Sequence, residues 1–186
     1  DDALSLAALA SITPESLFEF SDNNGNELSM DGSGNMTVSG LVYIDGGTVQ
    51  MNKTRSANTI TYSGAGAIFA TNEIEINTNL VTNGNVSFPN NIVGFMTPTE
   101  IEFDEAQISV MGVFYAEDEI NVEKQTNIVG TIVSNHVDVG QNVPSIFQVP
   151  TVSDHLPAYM IGQGAASTNM AVVSWQKTAD ISGVCQ

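Results

Sequence analysis

The sequence predicts an all-β fold, a single-domain parallel β-helix (β-solenoid), and three observations lead to this prediction. The middle of the chain repeats a phrase that begins with glycine, each repeat contains strands of alternating polar and apolar residues, and no repeat contains a convincing helix-period stripe. Self-similarity of this kind is typical of repeat architectures, and period-2 alternation is typical of β-strands. Coils with two or three short strands fit one turn of a β-solenoid.

Five segments carry the repeat, and each continues from its glycine into a short apolar strand, a polar corner and an alternating strand. In chain order they are GLVYIDGGTVQM from Gly40, GAIFATNEIEI from Gly66, GFMTPTEIEF from Gly94, GVFYAEDEINV from Gly112 and GTIVSNHVDV from Gly130. The glycines are spaced by 26, 28, 18 and 18 residues. The two longer spacings predict loops at NKTRSAN (52–58) and TNLVTNGN (78–85).

Stacking of these repeats predicts inward columns of apolar side chains, because alternate side chains of a strand lie on the same face. The predicted columns are Val49, Ile74, Ile101, Ile120 and Val137, then Met51, Ile76, Phe103, Val122 and Val139, and finally Val42, Ile68, Met96, Phe114 and Ile132. Burial of one such side chain stabilises a fold by roughly 1.5–3 kcal/mol. The columns therefore predict a continuous core.

The polar positions between the columns predict two outward rows. These rows are Thr48, Glu73, Glu100, Glu119 and His136, and beside them Gln50, Glu75, Glu102, Asn121 and Asp138. Adjacent rungs of a sheet lie about 4.8 Å apart, and like charges on neighbouring strands destabilise it. The face is predicted to bind cations, to raise the pKa of some carboxyl groups or to meet a basic surface. The alternative is a solvated acidic face that maintains solubility.

The best candidate for a metal site is the corner AEDE (116–119), which carries three carboxylates one rung from two glutamates. Oxygen ligands of this kind suit Ca²⁺. The predicted calcium ligands are Glu100, Glu102, Glu117, Asp118 and Glu119, and no other cofactor is predicted. DNNGNE (22–27) has the composition of a calcium loop, but its glycine stands fourth rather than sixth, so a β-turn is predicted there instead.

The two ends of the chain differ from the middle. Residues 1–16, DDALSLAALASITPES, are rich in Ala and Leu and predict a short helix, which either caps the first coil or continues an upstream helix. Residues 17–143 are predicted to form the solenoid body. Residues 144–186 are predicted to form an extension that packs on the body, with closing strands in MAVVSWQKTADISGV (170–184).

The charge balance limits the partners. Four Lys and Arg residues stand against 21 Asp and Glu, which gives a formal net charge of -17. This excludes nucleic-acid binding, which needs a basic surface, and no apolar run is long enough to insert into a membrane. The predicted partners are further copies of the chain or other surface and filament proteins, with glycans as another candidate.

No catalytic residues are predicted. A nucleophile elbow and a phosphate-binding loop are both missing from the sequence. Glycoside hydrolysis by paired carboxylates along Glu73, Glu100 and Glu119 would need a pocket that raises one pKa, which a flat ladder does not offer. The sequence thus favours a non-enzymatic protein, and a carbohydrate-binding or carbohydrate-cleaving β-helix is the alternative.

The segment NIVGTIVSNHVDVGQNV (127–143) resembles the coils of bactofilin-type polymer-forming β-helices. Residues 36–143 are also similar to the glycine-led β-helical body of large pilus-associated proteins of the PilX type, and VVSWQK (172–177) resembles the closing strand of that family. This resemblance implies an exported structural protein, either a filament or pilus-associated subunit or an adhesion module. It also implies an extracellular or cell-surface location.

Overall fold

The computed structural model describes residues 3–7, 11–84, 88–140 and 143–160. These ranges contain fifteen β-strands and one 3-10 helix, and no α-helix occurs in them. The strands are β1 (Leu4–Ala7), β2 (Ser11–Ile12), β3 (Leu17–Ser21), β4 (Glu27–Asp31), β5 (Asn35–Asp45), β6 (Val49–Asn52), β7 (Thr59–Ser63), β8 (Ala65–Ala70), β9 (Ile74–Asn77), β10 (Asn79–Thr82), β11 (Ile92–Thr97), β12 (Glu100–Glu102), β13 (Ser109–Val122), β14 (Asn127–Val139) and β15 (Ser145–Gln148). The 3-10 helix is Pro150–Asp154. The prediction of an all-β fold is confirmed.

Parallel pairing joins strands of successive repeats into three ladders. The first ladder runs through β5, β8, β11, β13 and β14. The second runs through β2, β6, β9 and β12 to the later parts of β13 and β14. The third joins β5, β7, β10, the earlier parts of β13 and β14, and β15. The main core cluster draws buried side chains from all three ladders.

The first predicted apolar column is confirmed by the register of the second ladder. Val49 pairs with Ile74, and Ile74 pairs with Ile101. Ile101 pairs with Ile120, which pairs with Val137. The first four side chains are fully buried, whereas Val137 is 40% exposed. The column therefore forms a core that opens at its last layer.

The third predicted column is wrong at one position, Met96. Ile68 pairs with Phe95, and Phe95 pairs with Phe114, whose ring is stacked on it at 5.7 Å between centroids. Met96 is buried on the opposite face of the same strand. Because all six residues of β11 are buried, polar and apolar alternation gives no signal of which side chains point inward.

The error arises from Gly94, which does not correspond to the other repeat glycines. Gly66 pairs with Val93, so Val93 takes the repeat position in the third unit. A Cβ atom on Gly94 would instead overlap the sulfur of Met160, in the segment that covers this strand. The glycine at position 94 thus allows a close approach of the covering segment.

The sheet is mixed, and the predicted parallel β-helix is wrong near the N-terminus. β3 pairs with β4 and β4 with β5 in antiparallel hairpins. In both turns an aspartate, Asp22 or Asp31, accepts hydrogen bonds from backbone N–H groups and from the side chain of an asparagine four residues later. The asparagine side-chain bond is the main cause that lowers the pKa of each aspartate. The segment 22–27 therefore contains a turn, as predicted.

The predicted N-terminal helix is wrong. Residues Leu4–Ala7 form β1, which pairs in parallel with Val42–Asp45, and Ser11–Ile12 form β2, which pairs with Gln50–Met51. Leu4 and Leu6 alternate with more exposed neighbours and pack against the main core. A helix of this length is marginal in isolation, so backbone pairing with the first layer outweighs the helix propensity of Ala and Leu.

The predicted loop at 78–85 is also partly wrong. Residues Asn79–Thr82 form β10, which pairs with β7 and, at Leu80, with β13. The third-ladder strand of this repeat therefore lies within the predicted loop. Residues 85–87 lie outside the described ranges.

A C-terminal segment covers the outer face of the first ladder. Val152 and Met160 are buried in a second apolar cluster together with Ala67, Ile92 and Val113. The closing strands predicted at 170–184 lie outside the described residues. Among the described residues, no helix has the length and apolar character needed to span a membrane.

Candidate functional site

Carboxylates from three strands, β9, β12 and β13, and from the segment before β9 form the candidate site, which we call the acidic ladder. It consists of Glu73, Glu75, Glu100, Glu102 and Glu119, all of them partly buried. Glu75 pairs with Glu102, and Glu100 pairs with Glu119, on adjacent parallel strands. The predicted outward rows are therefore confirmed at these pairs. The inward column of isoleucines fixes this arrangement, because in-register stacking of one face aligns the other.

Neutral side chains flank the ladder at its first rungs. The Gln50 side-chain nitrogen donates a hydrogen bond of 2.8 Å to the Glu75 carboxylate, and the Thr48 hydroxyl lies 3.5 Å from the Glu73 carboxylate. At the far end, His136 Nε2 lies 3.9 Å from Glu119 Oε1. Within the described ranges, the middle rungs thus have the highest density of negative charge.

Burial, together with neighbouring carboxylates, raises the pKa of two ladder residues. Burial is the largest cause of the rise of the Glu102 pKa to about 7, and the charges of Asp104, Glu100, Glu73 and Glu75 add to it. Burial is also the largest cause that raises the pKa of Glu100, followed by the charges of Glu119 and Glu73. The prediction of raised carboxyl pKa values agrees with these two groups.

Two groups of carboxylates bring their oxygens within 4.8 Å of one another. One is Glu73, Glu75 and Glu102, and the other is Glu102, Asp104 and Glu123. Lys124 lies 3.4 Å from Asp104 and 3.8 Å from Glu123, so a cation already neutralises part of the second group. The first group is consequently the better place for a divalent cation.

The structure separates the five residues predicted as calcium ligands. Glu100, Glu102 and Glu119 belong to the acidic ladder. Glu117 and Asp118 are exposed at an irregularity where the register between β13 and β14 shifts, and Glu117 lines a groove on a different face. Asp118 contributes only a minor charge effect to the pKa of Glu100.

The metal prediction did not include Glu73 and Glu75, although the predicted rows contained both. Their signal was the period-2 spacing itself, which places them beside Glu100 and Glu102 on the next rung. Asp104 and Glu123 gave no such signal, because each follows the end of its strand.

The stability of the protein is expected to fall as the pH rises from about 4.5 to about 7. The Glu102 carboxyl group keeps its proton in the folded state at pH values where the unfolded chain has lost it, so the unfolded state binds fewer protons and the folded state loses stability with rising pH. Because the side chain is partly solvated, the contribution is on the order of 1 kcal/mol.

Urea denaturation at pH 5 and pH 7.5 measures this effect. Glu102→Gln is expected to reduce the difference between the two pH values, whereas Glu19→Gln, on an exposed position of β3 away from the ladder, should leave it unchanged. An unaltered pH dependence in Glu102→Gln would contradict the assignment of the shift to this residue.

Comparison with known proteins found a similarity in structure but none in sequence. No protein-family model matches the chain, and no curated protein sequence matches it. Among solved structures, the chain is similar to the competence-associated pilin ComZ from Thermus thermophilus, with a TM-score of 0.62 and 17% sequence identity. The match covers 81% of this chain but only 34% of the ComZ chain, so this chain spans about a third of its neighbour. At this identity the likeness concerns the fold. The predicted resemblance to pilus-associated proteins has a structural counterpart in this pilin, and the resemblance to bactofilins stays a prediction.

Proposed function

We propose that this chain is a non-enzymatic, pilus-associated structural subunit, or part of one, that is exported and assembles with other pilus or surface proteins. The observation that carries the proposal is the similarity to a pilin over 81% of the chain. The stacked fold supports it, because a rigid array of parallel rungs presents large faces to partners and its length can change by whole repeats.

We further propose that the body, residues 17–143, is a β-solenoid that forms a parallel β-helix from β5 onward, and that 144–186 form an extension on it. Three parallel ladders support this architecture, since successive repeats contribute one strand to each ladder in the same order. The antiparallel hairpins of β3 and β4 lie at one end of the array. Burial of Val152 and Met160 against the first ladder supports the assignment of the extension.

The last layer of the array is the end that favours assembly. Val137 and Val139 occupy inward columns but are 40% and 43% exposed, and Ile146 on β15 is 43% exposed. β15 pairs with β14 only at Asn127–Gly130, so in the described ranges no strand pairs with the rest of that edge. Unpaired edges and exposed apolar side chains favour addition of another protein segment. Because a net charge of -17 opposes contact between copies, we favour a partner with basic residues over self-association.

Fractionation of pili tests the proposal. In the source organism, the full natural protein carrying an epitope tag is expected to co-purify with pili sheared from the cell surface. The same fraction from a strain without the pilus secretion channel should lack it. Recovery of the protein in identical non-pilus fractions from both strains would contradict the proposed function. Glycan binding stays a prediction.

A calcium-binding role is the second candidate, and the cluster of Glu73, Glu75 and Glu102 favours it. A ligand that binds only the folded state must stabilise it. At pH 7.5 we expect 5 mM CaCl2 to raise the melting temperature relative to a chelator at matched ionic strength, and Glu75→Gln to reduce that rise. Glu117→Gln is the matched control, because Glu117 lies away from the cluster. Melting temperatures that are equal with Ca²⁺ and with chelator would exclude this role.

A further inference from the structure

Aromatic and apolar side chains line a groove on the outside of the first ladder, which we call the outer groove. Its aromatic residues are Tyr43, Phe69, Tyr115 and Tyr159, and Glu117 is its acidic residue. With Met96, the first three come from four consecutive layers, because Tyr43 pairs with Phe69, Phe69 with Met96, and Met96 with Tyr115. The stacking that builds the core thus also builds a continuous apolar stripe on the outer face.

The rings of the outer groove have a defined arrangement. Tyr43 and Phe69 are stacked, with 5.3 Å between their centroids and an angle of 5° between their planes. Tyr159 of the covering segment also lines the groove, is 52% exposed and has a left-handed backbone conformation with φ of 71°. Such a conformation is uncommon for a residue other than glycine. Packing of the adjacent Met160 against Gly94 holds this segment in place.

The chemistry of the outer groove favours a ligand with a guanidinium or ammonium group at the end of an apolar chain. Aromatic faces attract a guanidinium or ammonium group, and the attraction strengthens when the group is removed from water. Glu117 adds a carboxylate at the same groove, and the whole chain carries a net charge of -17. Among the described residues no Lys or Arg lines the groove, and Lys53 and Lys124 pair with carboxylates elsewhere.

The size of the groove limits the ligand. Its volume is about 280 Å³, which lies below the range of about 300–1,000 Å³ usual for sites that enclose a whole small molecule. One long side chain is a better match than a cofactor. Arginine suits the site better than lysine, because its planar guanidinium stacks on aromatic rings and bonds a carboxylate at the same time.

We propose that the outer groove binds an arginine side chain of a partner protein, stacked on its aromatic rings and paired with Glu117. Only the kind of partner, another pilus or surface protein, rests on the proposed function. The recognition itself rests on the rings, the carboxylate and the charge of this chain. Because the net charge of -17 opposes contact between copies, we assign the arginine to another protein.

Titration of the purified chain tests the proposal. The probes are N-acetylarginine amide and N-acetylcitrulline amide, which have nearly the same shape but differ in charge. The readout is the methyl NMR signal of Met96, which lines the groove. The arginine probe is expected to shift this signal with an affinity at least ten-fold higher than that of the citrulline probe.

Two exposed positions give the variants, and each has a matched control. Glu117→Gln and Tyr159→Ala are each expected to weaken arginine binding at least five-fold. Glu19→Gln and Phe147→Ala change an exposed glutamate and an exposed aromatic residue that do not line the groove, and they should leave binding unchanged. The melting temperature of each variant verifies that it is folded.

Several results would overturn the proposal. Equal binding of the two probes would show that the groove binds an apolar chain and does not recognise charge. Unchanged arginine binding in Glu117→Gln would exclude the proposed ion pair with Glu117. No response of Met96 to arginine, with contacts between its methyl group and residues 161–186, would identify those residues as the occupant instead. Because the titration uses only the purified chain, its failure is separate from a failure of the pilus fractionation.

Discussion

Replacement of Ile101 by alanine is expected to lower the free energy of unfolding by about 2–5 kcal/mol, which is the usual cost of truncating a buried isoleucine. Ile101 is fully buried and has a neighbour of the same size on both adjacent rungs, Ile74 and Ile120. Relaxation into the cavity is restricted, because the backbone of each rung is hydrogen-bonded to the rungs above and below it. Urea denaturation measures the change from the shift of the midpoint at constant slope.

The same column contains the matched control. Val137→Ala removes an aliphatic side chain two rungs further along, where 40% of the side chain is already exposed. This substitution is expected to lower the free energy of unfolding by less than about 1 kcal/mol, because truncation of a partly exposed side chain removes little buried apolar surface. Equal losses at the two positions would contradict a core that opens toward its last layer.

Replacement of Gly130 by alanine is expected to lower the free energy of unfolding by about 2–6 kcal/mol. Gly130 has φ of 141°, a conformation that L side chains rarely adopt, and a Cβ atom there would overlap the backbone oxygen of Gly112 on the next rung. A strained backbone of this kind costs about 1–3 kcal/mol, and overpacking adds about 1–3 kcal/mol. A backbone oxygen within a ladder cannot move aside as the end of a side chain can.

Two other glycines separate these contributions. Gly46 has φ of 85° but open space around it, so Gly46→Ala measures backbone strain without overlap. Gly84 has open space and no left-handed conformation, so Gly84→Ala should have a small effect. Urea denaturation is expected to rank the losses as Gly130 greatest, then Gly46, then Gly84. A loss at Gly130 no larger than that at Gly46 would show that contact with Gly112 does not explain why glycine recurs at this repeat position.

The sequence by itself determined the strand class and most of the stacking. Where one face of a strand is buried and the other is solvated, apolar and polar residues alternate along the sequence. Ile74, Ile101 and Ile120 align as this alternation predicts. The same argument aligned the glutamates of the acidic ladder on the opposite face. These features depend on local alternation, which one sequence contains in full.

Tertiary structure alone decided the positions where alternation carries no information. β11 is buried on both faces, so only packing fixed Phe95 rather than Met96 in the core. Residues Leu4–Ala7 have helix-forming composition, and only the free edge of β5 makes them a strand.

In the candidate sites, too, some residue contacts could be predicted from the sequence and others depend on the tertiary structure. Glu73 and Glu75 join Glu102 because adjacent rungs bring their oxygens together, and the spacing in the sequence already implied this proximity. Glu117 left the predicted calcium set because it lies two residues after Tyr115 on the same face of β13, which places it at the outer groove. Tyr159 reaches that groove only through the covering segment. Contacts between segments far apart in sequence depend on three-dimensional packing, and no local period of the chain encodes them.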